Sequence, residues 1–173
     1  YYVVAVGRNT EKLHKKFGNL TNSLEIKACD FKDTTKSISF LREYDIVFDL
    51  VASSVPVTSV KMPIEEIQNN IEPQADFFMR ACEKKVSKII FTSSGGSIYG
   101  DMGDKPFSET DLPNPQSPHA IGKLSTEYFL KYFCSIAHLP FTIFRVSNPF
   151  GMGQEKTEGF GVIPTFLEGI RTN

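Results

Sequence analysis

The chain has 173 residues, of which 40% are hydrophobic and 23% charged, a composition typical of one globular domain. Its 19 basic and 20 acidic residues give a net charge of -1, so we expect neither nucleic acid nor a membrane surface as a partner. No apolar run approaches the roughly 20 residues of a membrane helix. Three widely spaced cysteines without a CxxC pair predict a reducing compartment, the cytoplasm, and no metal site.

Short apolar runs alternate with amphipathic segments along the chain. In chain order, the predicted elements are strand 1–6, helix 11–16, strand 24–29, helix 34–43, strand 45–51, helix 64–84, strand 88–92, helix 119–137 and strand 141–145. Thr10 is the expected cap of the first helix. This alternation predicts an α/β fold with a doubly wound parallel sheet, whose first strand is buried.

Two loops and two helix faces complete this prediction. Residues 56–63 and 101–118 are rich in turn formers and are predicted as loops, the second lining a cleft. Helix 64–84 contains Pro73, at which it must bend. The apolar face of the amphipathic helix 64–84 comprises Ile64, Ile67, Ile71, Phe78 and Cys82. Helix 119–137 carries a stripe of Leu124, Tyr128, Tyr132 and Ile136, and the aromatic side chains of Tyr128, Tyr132 and Phe133 are expected to be exposed.

Four motifs follow one another in the second half of the chain: SSGGSIYG at 93–100, ETD at 109–111, PHAIGK at 118–123 and RVSNPFGMGQ at 145–154. Together they resemble the extended short-chain dehydrogenase/reductase family, in particular its NAD-dependent epimerases and dehydratases of nucleotide sugars, the UDP-glucose 4-epimerase-like enzymes. The resemblance implies a Rossmann-like sheet, a nucleotide-sugar substrate and a reaction through a transient keto intermediate.

Two parts of the family pattern have no counterpart in the sequence. The first strand with its GxxGxxG turn would precede residue 1, and most of the C-terminal substrate lobe would follow residue 173. We therefore expect a fragment truncated at both ends. Residues 1–150 would form the incomplete NAD(P)-binding domain, and residues 151–173 would begin the substrate lobe.

The family's catalytic pair is a tyrosine and a lysine four residues later on one helix face. Here the lysine is Lys123, but the position four before it is His119. Imidazole can act as acid or base near neutral pH, although a nearby ammonium favours its neutral form and makes it a poor acid. We expect this substitution to impair the family reaction. The alternative hypothesis is a non-catalytic member or fragment that binds nucleotides or forms dimers.

The resemblance also implies an active-site hydroxyl just after the fourth predicted strand. Counting forward from Phe91 selects Ser94, whereas counting back from Tyr99 selects Gly95 and leaves Ser97 as the nearest hydroxyl. We prefer Ser94 as the catalytic hydroxyl and expect Ser97 to contact the substrate.

The cofactor site is expected at the ends of the first strands. The family's ribose-binding acid corresponds to Gly7, which is followed by Arg8, and an arginine suits the 2'-phosphate of NADP. NAD is the expected cofactor, with NADP left open. Asp30 matches the acid that contacts adenine, and Lys123 would bind the nicotinamide ribose. The backbone stretch expected beneath the cofactor is Leu50, Val51 and Ala52.

The remaining expectations concern the substrate and a second copy of the chain. Asn148 resembles the substrate-contacting asparagine, in a loop that continues over 150–153, and Ile163 opens a segment expected against the nucleotide. In this family, the helices that correspond to 64–84 and 119–137 form a four-helix dimer core, so a homodimer is expected.

Overall fold

The computed structural model describes residues 1–18, 22–151, 154 and 161–172. Helices and parallel strands alternate along these residues, as the sequence predicts. The elements are β1 (Val3–Gly7), α1 (Thr10–Phe17), β2 (Leu24–Ala28), α2 (Thr34–Ser39), β3 (Ile46–Asp49), α3 (Pro56–Lys61), α4 (Pro63–Glu66), a π-helix (Ile67–Ile71), α5 (Glu72–Glu83), β4 (Lys88–Ser94), α6 (Pro118–Ile136), β5 (Phe141–Val146) and α7 (Val162–Thr172). No helix among the described residues is both long and apolar enough to cross a membrane.

All strand pairs are parallel, which confirms the predicted α/β class. β1 pairs with β2, and a second sheet has the order β3-β4-β5; the described residues show no pairing between the two sheets. In the larger sheet Asp49 lies beside Phe91, and Ser94 lies beside Val146. The carboxyl ends of β3, β4 and β5 therefore meet at one edge, where parallel sheets bind their ligands.

The hydrophobic core lies between this sheet and helices α5 and α6. Phe78 and Phe91 are fully buried and meet edge to face, with ring centroids 5.8 Å apart. Ile89 and Leu130 are also fully buried in the same cluster. Packing of this kind fixes the positions of α5 and α6 relative to β4, and with them the side chains that both helices carry to the sheet edge.

The segment from residue 56 to residue 63, predicted as a loop, is mostly helical, so that prediction is wrong. Pro56 occupies the first position of α3, where its fixed φ suits a helix and its missing N–H costs nothing. Thr58 supports this start, because its hydroxyl accepts a hydrogen bond of 3.1 Å from the backbone N–H of Val55. The sequence prediction missed this helix because it treated Pro56 only as a turn-forming residue, although proline is also favoured at the first position of a helix.

The prediction of a helix across Pro73 is confirmed, but its apolar face is buried only in part: Phe78 is fully buried, and Ile71 and Cys82 are half-buried. Pro73 lies at the start of α5, directly after the π-helix, where a proline removes one regular backbone hydrogen bond. Ile64 and Ile67 are exposed. Glu66 and Asn70 are buried instead, together with Gln74 one turn further on.

The expected exposure of the aromatic stripe on α6 is confirmed for Tyr128 and Tyr132. Tyr128, Tyr132 and Ile136 are each at least 60% exposed, whereas the buried face mixes polar and apolar groups. Its buried residues are Ala120, Gly122, Lys123, Thr126, Glu127, Leu130 and Cys134. Thr126 donates a hydrogen bond of 3.0 Å to Gln74 of α5, so paired polar groups replace part of the expected apolar seam.

Smaller differences affect the ends of elements. β1 begins at Val3, and both Val3 and Val6 are exposed, so the predicted burial of this strand is wrong. Asn9, not Thr10, caps α1, accepting a hydrogen bond of 2.8 Å from the backbone of Lys12. α2 ends at Ser39, four residues before the predicted end.

Candidate active site

The structure brings Lys123 to the sheet edge that the sequence predicts for ligands. Its Nζ donates hydrogen bonds to the backbone carbonyl of Thr92 at 2.9 Å and to that of Val51 at 3.4 Å. Thr92 belongs to β4, and Val51 follows the end of β3. The ammonium thus joins the carboxyl ends of two neighbouring strands from its place in the second turn of α6.

The surroundings of Lys123 have opposite effects on the pKa of its ammonium. Burial lowers the pKa of its ammonium, and the negative charges of Asp49 and Glu66 act against this lowering. The ammonium also lies over the ring of Phe91, 4.7 Å from the ring centroid, a favourable cation–π arrangement. These contacts hold a cation in a nearly closed site.

Asp49 is the buried carboxyl at the end of β3. Its Oδ1 accepts a hydrogen bond of 3.0 Å from the backbone N–H of Val51, and Gln74 donates to its Oδ2 at 3.4 Å. Burial raises the pKa of Asp49 to about 6, although the hydrogen bond from Val51 and the charge of Lys123 act in the opposite direction. The carboxyl therefore titrates close to neutral pH.

His119 lies one helical turn before Lys123 on α6, as the sequence predicts. Its backbone N–H donates to Oγ of Ser59 at 3.1 Å, and its ring Nδ1 lies 3.0 Å from Oγ of Ser54. Burial, and then the charge of Lys123, lower the pKa of the imidazole to about 4. At neutral pH the ring is uncharged, the form that accepts a proton.

Sequence reasoning missed the polar cluster behind His119. Ser54 donates a short hydrogen bond to the Glu66 carboxylate, and Asn70 donates to Ser54 Oγ at 3.3 Å. The amide oxygen of Asn70 accepts from the backbone and the hydroxyl of Ser53, at 2.9 and 2.8 Å. The available signal was the four-residue spacing of Glu66, Asn70 and Gln74, a polar face on a predicted amphipathic helix.

Ser94 and Ser97, the two alternatives for the active-site hydroxyl, are hydrogen-bonded to each other. Ser97 Oγ donates to Ser94 Oγ at 2.7 Å. Ser97 also lines an open cleft of about 510 Å³ beside Ser117, which caps α6. The other residues lining this cleft are Pro56, Gly96, Gly100, Asp101 and Gln116.

The remaining predicted site residues have no described contact with His119. Val51 is joined to it through Lys123. The others are exposed at the ends of strands or beyond them: Arg8 after β1, Asp30 after β2, Leu50 and Ala52 after β3, Asn148 after β5 and Ile163 at the start of α7. Residues 152 and 153 of the predicted substrate loop lie outside the described residues. Within the described part of the chain, no group of three His, Cys, Asp or Glu side chains could hold a metal ion.

Comparison with curated proteins finds relatives that act on nucleotide sugars. The chain is 36% identical over 124 residues to dTDP-4-dehydro-6-deoxyglucose reductase of Escherichia coli, covering 72% of this chain and 39% of that protein. It is 32% identical over 127 residues to UDP-glucose 4-epimerase of Mycolicibacterium smegmatis, covering 73% and 40%. The chain thus spans about two fifths of the length of these relatives.

A solved structure and a family model agree with these relatives. UDP-N-acetylglucosamine 4-epimerase from Methanobrevibacter ruminantium M1, in complex with UDP-N-acetylmuramic acid, superposes with a TM-score of 0.87 at 29% identity. The match covers 98% of this chain and 55% of that structure, which confirms the Rossmann-like fold. The model of the NAD dependent epimerase/dehydratase family matches residues 1–173. The chain therefore belongs to the NAD-dependent epimerase/dehydratase family.

Proposed function

We propose that the protein acts on the hexose of a nucleotide sugar, oxidising a hydroxyl-bearing carbon to a transient ketone with NAD as the hydride acceptor. The observation that carries this proposal is the pair of His119 and Lys123, one helical turn apart at the sheet edge where parallel strands bind ligands. A neutral imidazole beside a buried ammonium has the properties of a general base. The relatives named above support the substrate class.

The residues at the sheet edge fit the cofactor. The carbonyls of Thr92 and Val51 take two of the three ammonium protons of Lys123; within the described residues, the third has no partner and can be donated to a ribose hydroxyl. Exposed Arg8 and Asp30 would hold the adenosine end, and the backbone of 50–52 would lie beneath the nucleotide. When bound, NAD supplies the acceptor for the hydride.

His119 performs the proton transfer in this proposal. Its Nδ1 is engaged by Ser54, so Nε2 is the nitrogen left to take the proton of the sugar hydroxyl. The charge of Lys123 lies close enough to lower the pKa of the imidazole, and it would equally stabilise negative charge developing on the sugar oxygen. Ser94, the end of a two-hydroxyl chain with Ser97, would donate to the same oxygen.

The substrate and its lobe are also part of the proposal. Asn148 offers an exposed carboxamide to the nucleotide, Ser97 lines the cleft, and Ile163 opens α7. Residues 1–150 would bind the cofactor, and residues 151–173 would begin the substrate lobe. Support comes from α7, which exposes Val162, Phe166, Leu167 and Ile170, a face suited to further packing.

Two further proposals concern the assembly and the compartment. A homodimer is supported by the exposed aromatic side chains of Tyr128 and Tyr132 on α6, and by exposed Ile64 and Ile67 in front of α5. A cytoplasmic location is supported by the cysteines, since all three are free thiols.

The proposal is tested by supplying the full-length protein with NAD and a set of UDP- and dTDP-hexoses. Products are separated by chromatography and identified by NMR. Formation of an epimer, a keto sugar or a deoxy-keto sugar from one of them supports the proposal. If NAD binds and every sugar is recovered unchanged, the non-catalytic alternative is favoured.

A further inference from the structure

The hydroxyl of Ser54 has three hydrogen-bond neighbours from three parts of the chain. The carboxylate of Glu66 and Nδ1 of His119, at 3.0 Å, lie on either side, and the side-chain amide of Asn70 donates to it at 3.3 Å. The amide cannot reverse its role, because its oxygen already accepts two hydrogen bonds from Ser53. One neighbour is therefore always a donor, and the other two exchange roles.

A serine hydroxyl donates once and accepts twice, which permits two complete arrangements. In the first, Ser54 donates to ionised Glu66 and accepts from Nδ1–H of His119, so Nε2 is bare. In the second, protonated Glu66 donates to Ser54, Ser54 donates to bare Nδ1, and Nε2 carries the proton. Both arrangements satisfy the three hydrogen bonds around the Ser54 hydroxyl without moving any heavy atom.

We propose that Glu66, Ser54 and His119 form a proton relay in which His119 takes up and returns a proton while its ring stays uncharged. Ser54 and Glu66 are positioning residues that act through His119. The relay deepens the proposed function, on which its part in turnover rests. It removes the difficulty that an imidazole beside an ammonium is a poor acid, because the acid in the second arrangement is a neutral ring.

The proton balance of the relay is closed. The sugar hydroxyl gives its proton to Nε2, the Nδ1 proton moves to Ser54 Oγ, and the Ser54 proton moves to the Glu66 carboxylate. The carbon-bound hydrogen leaves as hydride to NAD, and the sugar becomes a ketone. When a hydride returns to the ketone, the three protons move back in the opposite order.

The surrounding structure holds the relay together. Glu66 is 4% exposed, and it approaches α6 at Gly122, where a Cβ atom would lie 2.4 Å from its Oε1. Only glycine permits this approach. Lys123 is the charged group that faces both ends: it acts on the pKa of His119, its own pKa responds to Glu66, and it is also balanced by Asp49. The positive charge disfavours imidazolium, which is the state that the relay avoids.

The test is an NMR titration of the full-length protein, without substrate, that follows both ring nitrogens of His119 and the carboxyl carbon of Glu66. Residues 1–173 contain two further histidines, His14 and His138, which serve as internal references. At neutral pH we expect the proton on Nδ1. On acidification, a single step should move the ring proton to Nε2 and protonate Glu66 together. Formation of imidazolium while Glu66 stays ionised would overturn the relay.

Variants separate the relay from simple packing. Glu66→Gln should convert the same acid step into ordinary imidazolium formation, and Ser54→Ala should uncouple the two titrations. Ser54→Thr, which keeps the hydroxyl, should restore the coupling. Ser53→Ala is the matched control, since Ser53 contacts Asn70 but not His119. Equal titrations in Ser54→Ala and Ser53→Ala would contradict the proposal.

The titration tests the relay independently of any measurement of turnover. If no nucleotide sugar is converted but the coupled step appears, the proposed function fails and the relay stands. If a sugar is converted while imidazolium forms, the relay is wrong and the proposed function stands. The wild-type titration decides the question even where a variant does not fold.

Discussion

Lys123 Nζ lies 2.9 Å from the backbone carbonyl oxygen of Thr92, and this contact ties the second turn of α6 to the last residues of β4. A second carbonyl, that of Val51, lies 3.4 Å away at the end of β3. The lysine therefore connects α6 with the carboxyl ends of β3 and β4. This structural role is additional to the part that we propose for it in cofactor binding.

Replacing Lys123 with methionine is expected to affect both roles. The two carbonyls lose a charged donor, so the free energy of unfolding should fall by about 1–3 kcal/mol. NAD affinity should fall at least about tenfold, the equivalent of one lost hydrogen bond to a charged group. Chemical denaturation and titration calorimetry measure these effects. Lys84→Met is the matched control, because Lys84 is exposed at the end of α5. Equal NAD affinity in both variants would contradict the role of Lys123.

Asp49 should make folding stability fall as pH rises. Its folded-state pKa of about 6 lies above the value of 3.8 for an unperturbed carboxyl, so the folded state binds the proton more tightly. The stability it contributes is complete below about pH 4 and is lost as pH rises through about 6, and its size is about 3 kcal/mol. Denaturation of wild-type protein and Asp49→Asn across this range should show the wild type losing about 3 kcal/mol relative to the variant as pH rises.

His119 acts in the opposite direction over nearly the same pH range. Its pKa of about 4 lies below the ordinary 6.5, so its contribution is present above about pH 6.5 and is lost as pH falls to about 4. In Asp49→Asn, stability should therefore rise with pH across this range. Equal slopes in Asp49→Asn and wild type would contradict the pKa of Asp49, and a variant whose stability does not rise with pH would contradict the pKa of His119.

Arg145 and Glu127 form an ion pair next to the sheet, in which the Glu127 carboxylate is buried. The guanidinium of Arg145 donates to both carboxylate oxygens of Glu127, at 3.0 and 2.8 Å, and to the Tyr99 hydroxyl at 2.6 Å. Burial raises the pKa of Glu127, but the hydrogen bonds from Arg145 and Ser93, together with the charges of Arg145 and Lys131, outweigh burial and hold that pKa below its usual value.

Arg145→Met should leave the Glu127 carboxylate buried without its main partner. We expect the free energy of unfolding to fall by about 3–5 kcal/mol. In contrast, Arg80→Ala removes a more solvent-accessible pair with Asp76 on α5 and should cost less than about 1 kcal/mol. Urea denaturation of both variants measures the two losses. Equal decreases in the free energy of unfolding would show that the Arg145–Glu127 pair stabilises the fold no more than the Arg80–Asp76 pair.

The proposed homodimer predicts that charge on the exposed face of α6 will separate the subunits. Tyr128→Asp combined with Tyr132→Asp places carboxylates where two copies would bury aromatic rings, so the mass should fall to that of a monomer. Light scattering over a range of concentrations measures it. Tyr44→Asp is the control, since Tyr44 is more exposed than either tyrosine but lies in the turn before β3. A wild-type protein that is monomeric throughout would exclude the dimer.

The sequence was sufficient for the order of the strands, for α5 and α6 and for the place of Lys123, because apolar runs and motif spacing are local signals. It failed where tertiary contacts outweigh local pattern. Glu66 and Asn70 are buried because they satisfy one another through Ser54, a partner from a distant loop. Ile64 and Ile67, apolar at helical spacing, face outward instead. Periodicity of apolar residues cannot reveal a buried polar network, since that burial depends on partners brought together only by folding.

The sharpest test of proton transfer at His119 is a single-turnover measurement. Full-length protein loaded with NAD is mixed with a UDP- or dTDP-hexose, and the absorbance of reduced nicotinamide is followed. His119→Phe should slow hydride transfer by about a hundredfold to ten-thousandfold while NAD affinity is unchanged, because the general base is lost. His119→Tyr should recover turnover, since a phenol beside the ammonium of Lys123 is a competent base, and adding Lys123→Ala should cancel that recovery. Hydride transfer at the wild-type rate in His119→Phe would contradict the assignment of His119 as the base.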